Sequence, residues 1–182
     1  MLVVFEPEQL PVAAARAGDA DAWNTLFKRY QLPLYTYVFE LLHDEQASLD
    51  VVQETFINAV RYIGGLRHND KFGSWLFGIA HQKCLQRWRK PRRDDIPFDE
   101  GGRDYPDAAD DPGEFLIRKE QEAGFMSVLE ALAPAHRSVL LLHFIEGFSL
   151  EEIAGITGAG VGTVKSRLHY AKKSFKKRLD QE

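Results

Sequence analysis

Between Lys165 and Arg178 the chain carries seven lysines and arginines and no carboxylate. Such a run, if wound into a helix, presents ammonium and guanidinium groups of the kind that meet phosphates and base edges in a DNA major groove. A second basic run, Lys83, Arg87, Arg89, Lys90, Arg92 and Arg93, is also free of acids and lies beside Trp75, Phe77 and Trp88. Those rings at helical spacing read first as core; the alternative is that some of them stack on unpaired bases next to the basic run. A third group, Asp50, Gln53, Glu54 and Asn58, forms one polar helix side.

Groups that could do covalent chemistry are sparse. His136 and His143 stand seven apart, and His43, Asp44 and Glu45 are adjacent, which does not make side chains converge. Cys84 is the single cysteine, so an internal disulfide and a multi-cysteine metal centre are excluded. There is no zinc-protease pattern, no phosphate-cradling glycine loop and no zinc-deaminase signature. No catalytic residue, metal ligand or cofactor is expected.

The elements that would position the basic residues read clearly. Ser149 and Glu152 have capping-box spacing, and Leu150, Ile153 and Ala154 give a short apolar face. Thr157-Gly158-Ala159-Gly160 interrupts it. From Val161 onward, Val161, Val164, Leu168, Ala171, Phe175 and Leu179 recur every three or four residues, so they share one face and leave the basic groups on the others. Helix, tight turn, basic helix is the spacing of a helix-turn-helix.

The 182 residues suffice for one ordinary domain or two small ones. No apolar run is long enough to span a bilayer, and MLVVFEPEQL lacks the basic start and apolar core of a signal peptide, so a cytosolic location and no membrane insertion are expected. The net charge of −4 is unusual for a DNA binder, but it is segregated. Asp94 to Glu114 holds nine acids and one arginine, a net −8, which leaves +4 for the remainder.

Along the chain, Leu10 to Ala17 reads as a short helix closed by Gly18. The next, opened by Asp19 and Asp21, carries the stripe Ala22, Leu26, Tyr30 and Leu34. Pro33 disturbs that helix without having to end it, and His43-Asp44 marks the break. Glu45 to Ile63 follows, with Leu49, Val52, Phe56, Ala59 or Val60, and Ile63 as its apolar side. After Gly64-Gly65 and the polar loop 66–71, Phe72 to Arg89 forms a helix with Phe72, Trp75, Leu76, Ile79, Ala80 and Cys84 inward. Residues 94–113, rich in acid, proline and glycine, read as a mobile linker. A second helical domain starts near Glu114, with a helix to Leu132 whose seam is Phe125, Val128, Leu129 and Leu132. Another runs from Pro134 to Glu146. The expected fold is therefore all-α: residues 1–93 as one domain, an acidic linker 94–113, and residues 114–182 as a second domain.

Both halves resemble one family. Asp50-Val51-Val52-Gln53-Glu54-Thr55-Phe56 is similar to DLVQETF, and Phe72 to Ala80, FGSWLFGIA, is similar to FRAWLYRIA. Leu132-Ala133-Pro134, Glu146-Gly147-Phe148-Ser149 and Val161-Gly162-Thr163-Val164-Lys165-Ser166-Arg167-Leu168 follow LPPRQREVLLLRYLEGLSYEEIA and VGTVKSRL. These stretches, in order, resemble the extracytoplasmic-function sigma factors, the small two-domain class of the sigma-70 family. The resemblance implies a bacterial transcription initiation factor that works with core RNA polymerase and promoter DNA.

The resemblance also implies roles by position. Asp50, Gln53, Glu54 and Phe56 would meet the clamp helices of the largest polymerase subunit, and the flap of the second-largest subunit is a further implied partner surface. Asn69 and Lys71, with Phe72 and Trp75, would capture a flipped base of the −10 element. Lys83, Arg87 and Arg89 would hold the adjoining backbone. Lys165, Ser166, Arg167, His169, Tyr170, Lys172 and Lys173 would engage the −35 element. An anti-sigma partner is implied as well. The chain departs from the pattern at His81-Gln82, where Arg-Asn is usual, at Leu49 and Gly160, and at Tyr170, where arginine is frequent. Two other readings are a helix-turn-helix repressor or activator acting without polymerase, which leaves the first half idle, and a sigma mimic that sequesters an antagonist. The leading reading requires Trp75 and the lysines near it to be reachable by a DNA strand.

Overall fold

The computed structural model describes residues 10–89 and 129–179. The segment 94–113 and most of the helix expected after Glu114, with Phe125 and Val128, lie outside the described residues. So do Lys90, Arg92 and Arg93, and the side chains of Phe175, Arg178 and Leu179. The described residues are helices and connecting turns, with no strand among them.

In the first half, α1 (Val12–Arg16), α2 (Ala20–Leu42), α3 (Glu45–Tyr62) and α4 (Phe72–Arg89) form a bundle in which α2, α3 and α4 touch one another. Short polar residues start two of these helices. The Asp19 carboxylate accepts the Asp21 and Ala22 amides, and Asp44 accepts the Ala47 amide. His43, with φ 49°, makes the left-handed step between α2 and α3. Pro33 lies inside α2 without ending it. The lost bond and ring clash cost about 3 kcal/mol in an isolated helix. Burial of Leu26, Leu34, Tyr37, Val38 and Leu41 on one face offsets that here.

Two apolar seams differ from the expected ones. On α3 the buried side is Ser48, Val51, Val52, Thr55, Phe56 and Ala59, while Leu49 and Val60 are exposed. Ser48 and Thr55 tolerate burial because each hydroxyl donates to the carbonyl four residues back, at 2.6 and 2.7 Å. On α4, Phe77 and His81 are buried, whereas Trp75 and Ile79 are only half-buried.

In the second half, a helical turn at 129–131 leads to α5 (Pro134–Phe144), α6 (Leu150–Thr157) and α7 (Val161–Leu179). Pro134 occupies the first turn of α5, where its missing N–H costs nothing. That helix ends at Phe144, two residues before the expected Glu146. Val164, Leu168 and Ala171 of α7 are buried, and α7 packs on both α5 and α6.

The halves are packed together, and their buried side chains form one continuous core. α6 lies along α4, and α5 lies along α2. Phe77 meets Phe148 edge-on at 5.3 Å. Arg137, only 5 % exposed, donates to the Glu40 carbonyl across the junction at 2.6 Å and contacts the His43 ring. The same guanidinium donates to the Glu130 and Leu132 carbonyls of its own half, at 2.8 and 3.0 Å. Burial holds its pKa below the ordinary arginine value, against the pull of Glu40 and Glu130.

Candidate nucleic-acid interface

The helix-turn-helix geometry follows from local chemistry. Ser149 Oγ accepts the Glu152 amide at 3.2 Å, and Glu152 Oε2 accepts the Ser149 amide at 3.0 Å, which completes the capping box. Gly158 ends α6 at φ 69°, a conformation that favours glycine. α7 then leaves with Val164 and Leu168 inward. Its outer side presents Lys165, His169, Tyr170, Lys173, Lys176 and Lys177 to solvent.

The other expected −35 residues are more constrained. Ser166 is half-buried and its hydroxyl donates to the Gly162 carbonyl at 3.0 Å. Arg167 is half-buried on the side of α4, close enough to His81 for its charge to disfavour a proton there. Lys172 lies over the Phe144 ring at 5.4 Å. Tyr170 remains exposed, but its ring packs 4.6 Å from that of His136.

In the first half, Phe72 is fully buried against Trp23, Tyr30 and Trp75. The expectation that its ring meets a base is corrected: a ring with no accessible surface braces Trp75 instead. Phe56 is likewise interior, 4.8 Å from Phe27, so it supports from beneath the side of α3 that carries Asp50, Gln53 and Glu54. Gln53 and Glu54 are exposed and Asp50 half-buried on that side.

Two basic side chains of α4 are paired with this acidic group. Lys83 Nζ lies 3.0 Å from Glu54, and Arg87 lies 3.6 Å from Asp50 and 3.5 Å from Glu54. Arg89 is exposed. Lys71, on the short 3-10 turn Asn69–Lys71, bonds Glu152 of α6 at 3.0 Å. Burial alone would raise the Glu152 pKa, but the Ser149 bonds and the Lys71 ammonium leave it below the usual carboxylate value.

Trp75, Lys71, Gln82 and Lys83 line one wall of a cleft of about 860 Å³. Ser149, Glu151 and Ile156 line the other. Trp75 is half-buried, and the Lys83 side chain, paired with Glu54, is only 14 % exposed.

Sequence reasoning missed three contributors. Arg16 donates to the Leu66 carbonyl at 2.7 Å and to Asn69 Oδ1 at 2.9 Å, which fixes the loop carrying Asn69 and Lys71. Arg137 joins the halves. Ile57 joins Leu49 and Val60 in an exposed apolar stripe beside Gln53 on α3. The spacing 49, 53, 57, 60 could have exposed that stripe, had Leu49 not been placed in the core and Val60 offered there as an alternative to Ala59. No helix among the described residues is long and apolar enough to cross a membrane, and no group of three metal-ligating side chains occurs among them.

Comparison with known proteins agrees with this layout. Sigma-70 region 2 matches residues 26–94, and sigma-70 region 4 matches residues 124–175. The RNA polymerase sigma-H factor of Pseudomonas aeruginosa is 32 % identical over 187 residues, covering 98 % of this chain and 96 % of the relative. The chain belongs to the sigma-70 family, in its extracytoplasmic-function group. This sigma factor is also 28 % identical to the ECF RNA polymerase sigma factor SigW of Bacillus subtilis, with 92 % of this chain and 94 % of the relative covered. Against the ECF RNA polymerase sigma-E factor of Escherichia coli it is 29 % identical, with 92 % of each covered.

Among solved structures, CnrH in complex with the cytosolic domain of CnrY shares the fold at a TM-score of 0.67 and 24 % identity, with 97 % of this chain and 99 % of that chain covered. The Bartonella quintana sigma factor RpoE, in complex with the anti-sigma factor NepR, aligns at 0.62 and 23 % identity, with 85 % and 96 % covered. As a sigma factor, the protein directs promoter-specific transcription initiation with core RNA polymerase.

Proposed function

We propose a division of this work among named residues. Residues 1–93 bind core polymerase through Asp50, Gln53 and Glu54 on α3 and take the −10 element on α4, with Asn69, Lys71, Trp75, Lys83, Arg87 and Arg89. Residues 114–182 read the −35 element with the outward face of α7, chiefly Lys165, His169, Tyr170 and Lys173. Residues 94–113 connect the two. Melting needs a surface that favours unstacked bases, and duplex readout needs a helix in a groove; the two halves separate those tasks.

The observation that carries the reading is the acid-free outer side of α7, set out from the domain by a complete capping box and a left-handed glycine turn. The protein catalyses no covalent step in this account; binding to the displaced strand offsets the cost of unpairing. It acts in the cytoplasm. Two structural neighbours are complexes with a cytosolic domain or an anti-sigma factor, which supports a protein antagonist for this chain too.

Run-off transcription with purified core polymerase on a genomic promoter library tests the proposal. Transcripts that start at defined positions only when the protein is added are the expected result. Tight promoter binding without polymerase, and no polymerase-dependent transcript, would refute it in favour of a free-standing repressor.

A further inference from the structure

We propose that Arg16 is a positioning residue for the −10 contact: it fixes the side-chain amide of Asn69 so that the loop turns hydrogen-bond donors, rather than an acceptor, toward the captured base. The inference rests on the −10 role given to Asn69 above.

The anchor is α1. Val12 and Ala15 of this short helix are buried, which holds the backbone at Arg16 against the bundle. The guanidinium then reaches the segment that joins α3 to α4. Nη2 donates to the Leu66 carbonyl at 2.7 Å and to Asn69 Oδ1 at 2.9 Å, and Nε donates to the Ile63 carbonyl at 3.4 Å. A planar fork with donors in fixed directions places its acceptors relative to one another. Two of those acceptors are backbone carbonyls where the chain leaves α3, so the third, the Asn69 side chain, is set against the bundle rather than against its own flexible loop.

The amide orientation follows from the partner. Arginine has donors and no acceptor, so the atom of Asn69 that faces it is the oxygen. The Nδ2 hydrogens are left over; Asn69 is exposed, and no partner among the described residues takes them. A free amide turns over and bonds a base edge through either atom. This one offers its nitrogen. It suits a base that presents a carbonyl or a bare ring nitrogen at the contacted point and opposes one that presents an exocyclic amine there. Fixing the amide before the base arrives also removes part of the ordering cost of binding.

The experiment uses holoenzyme, core polymerase with the full chain, on a promoter recovered by the run-off screen above and randomised across its −10 element. A barcode in the transcribed part of each template reads base preference at every position. Arg16→Leu removes the fork, and Arg16→Lys keeps the charge but not the fork. Asn69→Asp still accepts from Arg16 but turns an acceptor outward, and Asn69→Ala removes the contact. Circular dichroism checks that each variant is folded.

At the captured position the parent should prefer its best base about tenfold. Both Arg16 variants should relax that preference to about twofold while other positions keep theirs. Asn69→Asp should move the preference toward bases that present an amine. Arg16 variants that lower transcription from all templates alike, with the preference intact, overturn the positioning role. An unchanged preferred base in Asn69→Asp overturns the donor assignment. Preferences unchanged at every position in Asn69→Ala overturn, separately, the −10 role of Asn69.

Discussion

His81 should make the protein acid-labile in a window where carboxylates contribute little. Its ring is 5 % exposed on α4, and Nδ1 lies 2.8 Å from the Tyr37 hydroxyl. Burial raises the Tyr37 pKa well above its ordinary value, so the phenol keeps its proton and shares a hydrogen bond with Nδ1. The imidazole is held neutral. Burial, and then the nearby Arg167 charge, depress its pKa from 6.5 to about 4. Between those values the unfolded chain binds a proton that the folded chain refuses. Stability is therefore intact above about pH 6.5 and falls as the pH drops toward 4. At pH 5 the loss from this one group works out at about 2 kcal/mol.

Urea unfolding at pH 7.5 and 5.0 measures the loss. Tryptophan fluorescence is a suitable probe because Trp23, Trp75 and Trp88 all lie in the first half. His81→Asn should be about 1 kcal/mol less stable at pH 7.5, through lost packing. It should, however, lose about 2 kcal/mol less than the parent on acidification. Equal losses in the two proteins would show that the neutral buried imidazole is not the cause.

The remaining predictions concern separate elements. Ser149→Ala removes the capping oxygen of α6 and should destabilise the second half by about 1 kcal/mol, read by thermal denaturation followed by circular dichroism. Phe72→Ala should cost about 3–5 kcal/mol because a fully buried ring is deleted, whereas half-buried Trp75→Ala should cost less in urea unfolding while impairing promoter opening in permanganate footprints. Lys165→Ala with Lys173→Ala should reduce the slope of log affinity against log salt on promoter duplex by about two, one unit per lost phosphate contact; an unchanged slope would remove those lysines from the interface.

Local signals in the sequence were reliable because local forces set them. Asp19, Asp44, Ser149 with Glu152, Pro134 and Gly158 mark helix ends through short-range hydrogen bonds and backbone preference, and each acts in that way in the structure. Helix faces were harder to read. Hydrophobicity placed Leu49 inside and did not single out Ser48 or Thr55, but a hydroxyl that bonds its own helix backbone enters a core at little cost. The junction between the halves was not legible. Arg137 to Glu40 and Gly78 against Ile156 join residues 97 and 78 positions apart, and no periodicity in one stretch encodes a partner in another.

The pairing of α3 with α4 affects how substitutions at the interface are to be interpreted. Asp50 and Glu54 are proposed to face the polymerase, and Lys83 and Arg87 the DNA, yet in this structure they are bound to one another. Glu54 is half-exposed, so each pair contributes on the order of 0–1 kcal/mol to stability, and the bundle does not depend on them. Their effect on binding is larger in kind. A polymerase surface that engages Glu54 and Asp50 draws them from Lys83 and Arg87 and leaves two cations unneutralised on α4. A loss of DNA binding on replacing Lys83 then reports a direct contact, whereas a change on replacing Glu54 mixes two effects of opposite sign: weaker attachment to polymerase and freer cations for the strand. Only a double-mutant cycle across Glu54 and Lys83 separates them.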